Sequence, residues 1–319
     1  MLKRNWIAAL VLTAGFAANS PLHAQSGVPT QTVVTVMPKS GTQPPVLTAE
    51  ELKITVDNKA TPASTWVPLR GERAALQIVL LIDNSARAGL SLQYGDLKNF
   101  IQRLPQGAEV GVAYMQNGRA VMQQNISPDR NLAVDALRLT SGLAGDNGSP
   151  YFCLSDLVKN WPSGDAPAPN NPVRREVLMI SDGVDLYYGR TFNPSDPYVD
   201  TAISDAQKAG VLVYSIFYKD TGRFDNSQWT QSGAQSYLLQ VSEGTGGKAY
   251  WQGFGNPVSF VPFLDDLSTR LQNQYELGIL GRPKNKTALQ ALKVKATVSG
   301  VNLDAPRMIL VPGSESASR

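Results

Sequence analysis

The chain has 319 residues, 42% hydrophobic and 17% charged, a globular composition that argues against a mostly disordered chain and against a coiled coil. Its formal charge is +3, and Lys3 and Arg4 supply two of those charges inside a leader-like segment, so a pI near 8.9 is no sign of nucleic-acid binding. The one His is His23 and the one Cys is Cys153, which removes Ser-His-Asp and Cys-His catalysis, a His-based zinc site and an intrachain disulfide from a chain cut beyond residue 23.

Residues 1–24 read as a signal peptide: Lys3 and Arg4, an apolar run over 6–18, then Pro21-Leu22-His23-Ala24 with the cut expected after Ala24. The run is short for a membrane span, although an uncleaved anchor is the alternative. No Cys follows it for a lipoprotein anchor, and no later stretch is long and apolar enough to span, so the processed chain is expected to be exported, periplasmic or extracellular, without a stable membrane span. Residues 25–46, rich in Ser, Thr, Gly, Gln and Pro, read as a linker with one strand at 32–36. An N-terminal β segment over 47–73 contains a strand at 52–56 and a turn at Asp57-Asn58-Lys59.

From residue 74 strands and helices alternate. The run 75–82 is continuously apolar and ends in Asp83, as suits a parallel strand buried on both faces. Helical spacing follows over 90–104, then a strand at 109–115, an Asn117-Gly118 hairpin turn and a returning strand at 120–124. Ser127-Pro128-Asp129 reads as a cap for a helix over 132–139. A helix is expected within 149–161, a buried strand at 176–180 ending in Ser181-Asp182-Gly183, a helix at 199–209 closed by Gly210, and a strand at 211–217. Helices at 236–242 and 258–275 precede strands at 275–280, 292–298 and 307–311. The sum is an α/β domain over 74–274, doubly wound around a mostly parallel sheet. The N-terminal flank and a C-terminal β segment, 275–313, join in one small β lobe, and 314–319 is a tail.

Ligands of open parallel sheets bind beyond the carboxyl ends of the strands. Two buried strands end there in Asp83 and Asp182; Ser85 follows the first, and Gly148-Ser149 supplies a hydroxyl between them. These oxygens suit a hard cation, Mg²⁺ or Mn²⁺. The order resembles the von Willebrand factor A (VWA) domain family, whose metal-ion-dependent adhesion site uses Asp-x-Ser-x-Ser after the first strand, a Thr in a middle loop and an Asp after the fourth strand. Asp83 and Ser85 match the first motif, Ser149 stands at the Thr, Asp182 matches the last, and Thr245-Gly246-Gly247 resembles the family as well. With the flanking 52–59 and Gln274-Tyr275-Glu276-Leu277-Gly278, the whole is similar to an exported bacterial subgroup. The resemblance implies a VWA/Rossmann-like fold and recognition of a protein partner at this edge. Arg87 departs from the pattern, standing where the second metal-binding Ser belongs. A guanidinium has no lone pair to give. Either it turns to solvent and the cation remains, or it pairs with Asp83 or Asp182 and replaces the ion.

Two further loops leave the same edge. Residues 185–198 carry Tyr187, Tyr188 and Phe192; residues 218–235 carry Arg223, Phe224 and Trp229. With Arg87 these are the expected partner-binding residues. Gly244–Lys248 lacks the Gly and Ser/Thr spacing of a phosphate loop. Asn125-Ile126-Ser127, Asn147-Gly148-Ser149 and Asn285-Lys286-Thr287 are glycosylation triplets. Cys153 reads as a small buried helix residue. The leading expectation is an exported binding module without catalysis. The alternatives are an assembly protein whose edge is closed by Arg87, and a metal-assisted hydrolase relying on carboxylates.

Overall fold

The computed structural model describes residues 27–314 except 42, 74, 163–172, 186, 188–195 and 220–226. The expected signal peptide lies outside the described residues. In chain order the N-terminal strands are β1 (Val28–Pro38), β2 (Leu52–Val56), β3 (Lys59–Ala60) and β4 (Ala63–Pro68). The α/β region then runs β5 (Leu76–Asp83), α1 (Tyr94–Arg103), β6 (Ala108–Gln116), β7 (Arg119–Ser127), α2 (Arg130–Asp135), α3 (Pro150–Lys159) and β8 (Arg174–Ser181). It continues with α4 (Pro197–Ala209), β9 (Val211–Phe217), α5 (Gln228–Thr245), β10 (Ala249–Tyr250) and α6 (Val261–Gln272). The last strands are β11 (Gln274–Gly281), β12 (Ala288–Ala296), β13 (Val301–Asp304) and β14 (Met308–Val311).

The central sheet has the order β10-β9-β8-β5-β6-β7, parallel except for β7, which returns antiparallel from β6 through the Asn117-Gly118 turn. All eight residues of β5 and all seven of β9 are buried, which explains their unbroken apolar runs. Leu76, Ile78, Leu80 and Ile82 meet α1 and α6 on one face, through Leu97, Phe100, Leu264 and Leu267. Val79 and Leu81 meet α3, α4 and α5 on the other, through Leu154, Ala202 and Leu238. Alternation along one strand thus feeds two cores, and the sheet is doubly wound as expected.

The flanks join in one β lobe, built as two facing sheets ordered β13-β1-β11-β4 and β14-β12-β2-β3. Val34, Leu277 and Ile279 from the first pack against Ile54, Val56, Leu292, Ile309 and Val311 from the second. The segment read as a linker carries β1 over eleven residues rather than five, because β11 lines it from Val28↔Gly281 to Thr35↔Gln274. Strands β3, β4 and β13 had no expectation in the sequence.

Two helices differ from their expected spans for visible reasons. Residues 90–104 split into a 3₁₀ turn over Ala88–Gln93 and then α1; the Ser91 hydroxyl bonds the Ala88 carbonyl at 2.6 Å, a local bond that competes with the helical ladder. Helix α2 stops at Asp135 instead of running to 139, since Arg138 N–H donates to the Tyr114 hydroxyl at 2.8 Å. Among the described residues no helix is long and apolar enough to cross a membrane.

Candidate functional site

Strands β5 and β8 are neighbours with Ile82 opposite Ile180, so their next residues leave the carboxyl edge side by side. Asp83, Ser85, Asn147 and Ser149 are fully buried there. Asp83 Oδ1 accepts from Ser85 N at 2.9 Å, bending the chain into a tight turn. Asp83 Oδ2 accepts from Ser181 Oγ at 2.8 Å and from Asn147 Nδ2 at 2.9 Å. The Asn147 backbone N–H donates to Ser85 Oγ at 3.0 Å. Asn147 thus bridges Asp83 and Ser85.

The other two expected ligands are engaged locally. Ser149 is the N-cap of α3, its Oγ accepting from Phe152 N at 3.5 Å, with Pro150 beginning the helix. Asp182 is buried, and its Oδ1 accepts from Val184 N at 3.0 Å. The Gly183 carbonyl accepts the Tyr151 hydroxyl at 2.7 Å, which ties this turn to α3.

Asn147 is clamped from behind. Its carbonyl accepts from Gly118 N at 2.9 Å and lies 3.2 Å from Cys153 Sγ. Gly148 sits at φ +69°, where a Cβ would stand 2.7 Å from Gly118 N. Only a glycine lets the Asn147 loop lie this close to the β6–β7 hairpin turn. Burial pushes the Cys153 thiol well above its ordinary pKa, in keeping with an inert packing residue.

A second arc of polar groups lies beside the first. Asn84 Nδ2 donates to Asp146 Oδ2, and Ser141 Oγ lies 2.7 Å from the same oxygen. Arg138 Nη1 donates to Asn84 Oδ1 at 3.0 Å, and its guanidinium lies 3.9 Å from the centre of the Tyr114 ring. The Tyr114 hydroxyl is held above its usual pKa by burial and serves as a hydrogen-bonding post.

Sequence reading missed Asn147, Ser181, Asn84, Arg138 and Asp146. Ser181 was within reach, because parallel register sets it beside Asp83. Asn147 was visible only as a glycosylation triplet, and its buried, engaged amide cannot serve as an acceptor in the folded chain.

Of the expected partner-binding residues, Arg87 is exposed at the start of the 3₁₀ turn. Tyr187 is 62% exposed, its ring 5.1 Å from that of Phe152, and Trp229 is 67% exposed in the first turn of α5. Tyr188, Phe192, Arg223 and Phe224 lie outside the described residues. Thr245 is internal: its hydroxyl accepts from Val213 N at 3.0 Å and locks the end of α5 to β9. Lys248 pairs with Asp266 at 3.1 Å, far from any phosphate-loop role.

Among the described residues no group of three or more His, Cys, Asp or Glu is placed to hold a metal, so a cation here would depend on hydroxyl oxygens. The lone pairs of Asp83 Oδ2 and Ser85 Oγ that face Asn147 are taken by its two N–H groups. This donor set does not fit the cation implied by the family resemblance.

No family model matches the chain, and no curated protein matches it. Solved structures similar to it include a von Willebrand factor type A protein from Catenulispora acidiphila, 10% identical over 92% of this chain and 76% of that one, with a TM-score of 0.39. Proximal thread matrix protein 1 from the mussel byssus, with a zinc-occupied MIDAS motif, is 14% identical over 63% of this chain and 46% of that one, TM-score 0.41. The SpRpn10 VWA domain is 11% identical over 62% and 97%, TM-score 0.42. At such scores the superpositions are loose, and the family resemblance rests on the ordered residues of this chain.

Proposed function

We propose that this chain is an exported VWA-like binding module that recognises a protein partner, without catalysis, through the carboxyl edge of its central sheet. The observation that carries the reading is the exposure of large apolar side chains on the segments that follow β5 and α2 and at the start of α5. Leu92 is 82% exposed, Leu139 63%, Leu143 66% and Trp229 67%, around a rigid and buried polar centre. Exposed apolar groups held on a stiff frame favour protein contact. Export rests on the leader-like residues 1–24, and the lack of His beyond residue 23 supports binding over catalysis. A metal-dependent version, with Mg²⁺ or Mn²⁺ on Asp83, Ser85, Ser149 and Asp182, is disfavoured by the Asn147 N–H groups on Asp83 Oδ2 and Ser85 Oγ. The second reading, an assembly protein with an inactive edge, is favoured by the closed hydrogen bonding around Asp83.

The test compares capture of partners from the exported fraction of the source cells by three immobilised forms. Wild type and Lys53→Glu, altered on the distant strand β2, are expected to retain the same species. The double variant Arg87→Glu/Trp229→Ala is expected to lose it by at least about tenfold, since 1.4 kcal/mol suffices for that factor. Equal retention by all three would remove the edge from the interaction.

A further inference from the structure

We propose that Asn147 takes the place of the cation at this edge, so that the site keeps its shape without metal. The inference rests on the VWA-like reading of the edge. Asn147 presents its side-chain amide to Asp83 Oδ2 at 2.9 Å and its backbone N–H to Ser85 Oγ at 3.0 Å. An N–H donor and a metal ion compete for the same lone pairs on these two oxygens. The Asp83 carboxylate accepts from three neutral donors, Asn147 Nδ2, Ser181 Oγ and Ser85 N. Such donors stabilise a buried carboxylate when several converge on it.

Asn147 is also fixed in place. Its carbonyl receives the Gly118 N–H, and Gly148 rests against Gly118 with no room for a Cβ, so the loop cannot draw the amide aside without breaking its seat on the hairpin. Arg87 completes the change of chemistry: where the adhesion motif needs a second hydroxyl, this chain has an exposed cation. The Asn147 amide closes the centre.

The experiment is a Mn²⁺ titration of the purified chain by calorimetry and electron paramagnetic resonance, with thermal melts in Mg²⁺, Mn²⁺ and EDTA. Wild type is expected to bind no Mn²⁺ at millimolar concentration and to melt at one temperature in all three. Asn147→Gly removes the amide, so it should melt lower in EDTA and be raised by Mn²⁺, because a ligand bound only by the folded state stabilises it. If Asn147→Gly does not fold, Asn147→Asp keeps the shape while replacing a donor with a second carboxylate, and is expected to need Mn²⁺ to reach the wild-type midpoint. Tight Mn²⁺ binding by wild type overturns the proposal, as does an Asn147 variant that matches wild type in both measurements. Neither result bears on whether Arg87 and Trp229 contact a partner, which the capture experiment reads separately.

Discussion

Glu176 shows how a single residue can set the pH dependence of this fold. It lies inside β8, fully buried, with Arg174, Gln274 and Tyr214 as its polar neighbours. Burial pushes its carboxyl up to about 7, against the pull of the Arg174 guanidinium. The same burial lowers the Arg174 pKa, although Arg174 Nη1 donates to the Leu271 carbonyl at 2.8 Å and to Gln274 Oε1 at 2.5 Å. A carboxyl whose folded pKa is raised binds protons more readily in the native state than in the unfolded chain. Its contribution to stability is therefore largest below the unfolded value near 4.5 and declines as pH rises through about 7. Glu176→Gln is expected to remove this decline and to be more stable than wild type at pH 8, by on the order of a few kcal/mol. Urea unfolding of both proteins at pH 5 and pH 8 measures it; an identical pH dependence would show that Glu176 does not titrate in this range. Legibility at this scale followed exposure of the signal. Asp83 and Asp182 could be read because each interrupts an apolar run at a strand end, whereas Glu176 is a charge at the start of such a run, and Asn147 belongs to a loop without periodicity.

At the scale of elements, what could be read was periodicity, and what could not was pairing. Strand β9 was found to the residue because its apolar run is bounded by Gly210 and a polar loop. Helix α5 begins eight residues earlier than expected: Gln228, Gln231 and Gln235 fill its first turns, and two of them are buried polar side chains rather than an apolar stripe. Strand β4 escaped because Pro62 and Pro68 punctuate it. It is an edge strand of its sheet, where a missing N–H is tolerated. The contact between the Asn147 loop and the β6–β7 turn is another pairing invisible in sequence, and it makes a sharp prediction. Gly148→Ala asks an L-residue to adopt φ +69° and sets a Cβ 2.7 Å from Gly118 N. The expected cost is about 1–3 kcal/mol, read as a lower urea midpoint with unchanged slope. Gly95→Ala, inside α1 with open space around its Cβ position, is the control and should be neutral or stabilising. Equal effects at the two sites would mean that the loop does not need its close seat on the hairpin.

On the scale of the whole molecule, the chain closes on itself: β1 and β11, more than two hundred residues apart in sequence, pair along eight registered positions, and the two lobes are joined through α6. Both flanks read as β from the sequence, and their union followed from each being too short to stand alone. That the union consists of two facing sheets did not follow, since alternation names a buried face without naming its partner. Arg270 is the residue that couples the lobes. It is 6% exposed and donates from Nε to Asp266 at 2.8 Å within α6, and from Nη1 to Asp304 at 2.7 Å across to β13. Asp266 in turn accepts from Tyr250 and Lys248, and Arg270 foremost, then Lys248, hold its carboxyl below the usual range despite burial. Removing the guanidinium leaves Asp266 with Lys248 and Tyr250 but leaves Asp304 without its link to α6. Arg270→Met should therefore lower stability by about 1.5–3 kcal/mol, the cost of losing charged hydrogen bonds whose carboxylates stay partly open to water. Asp304→Asn should cost less, because Arg270 keeps Asp266, and the double variant should cost less than the two singles together. Hydrogen exchange supplies the spatial reading: in Arg270→Met the amides of β1, β11 and β13 are expected to lose protection ahead of those of β5. Uniform loss across both lobes would assign Arg270 to the α/β core instead of to the junction.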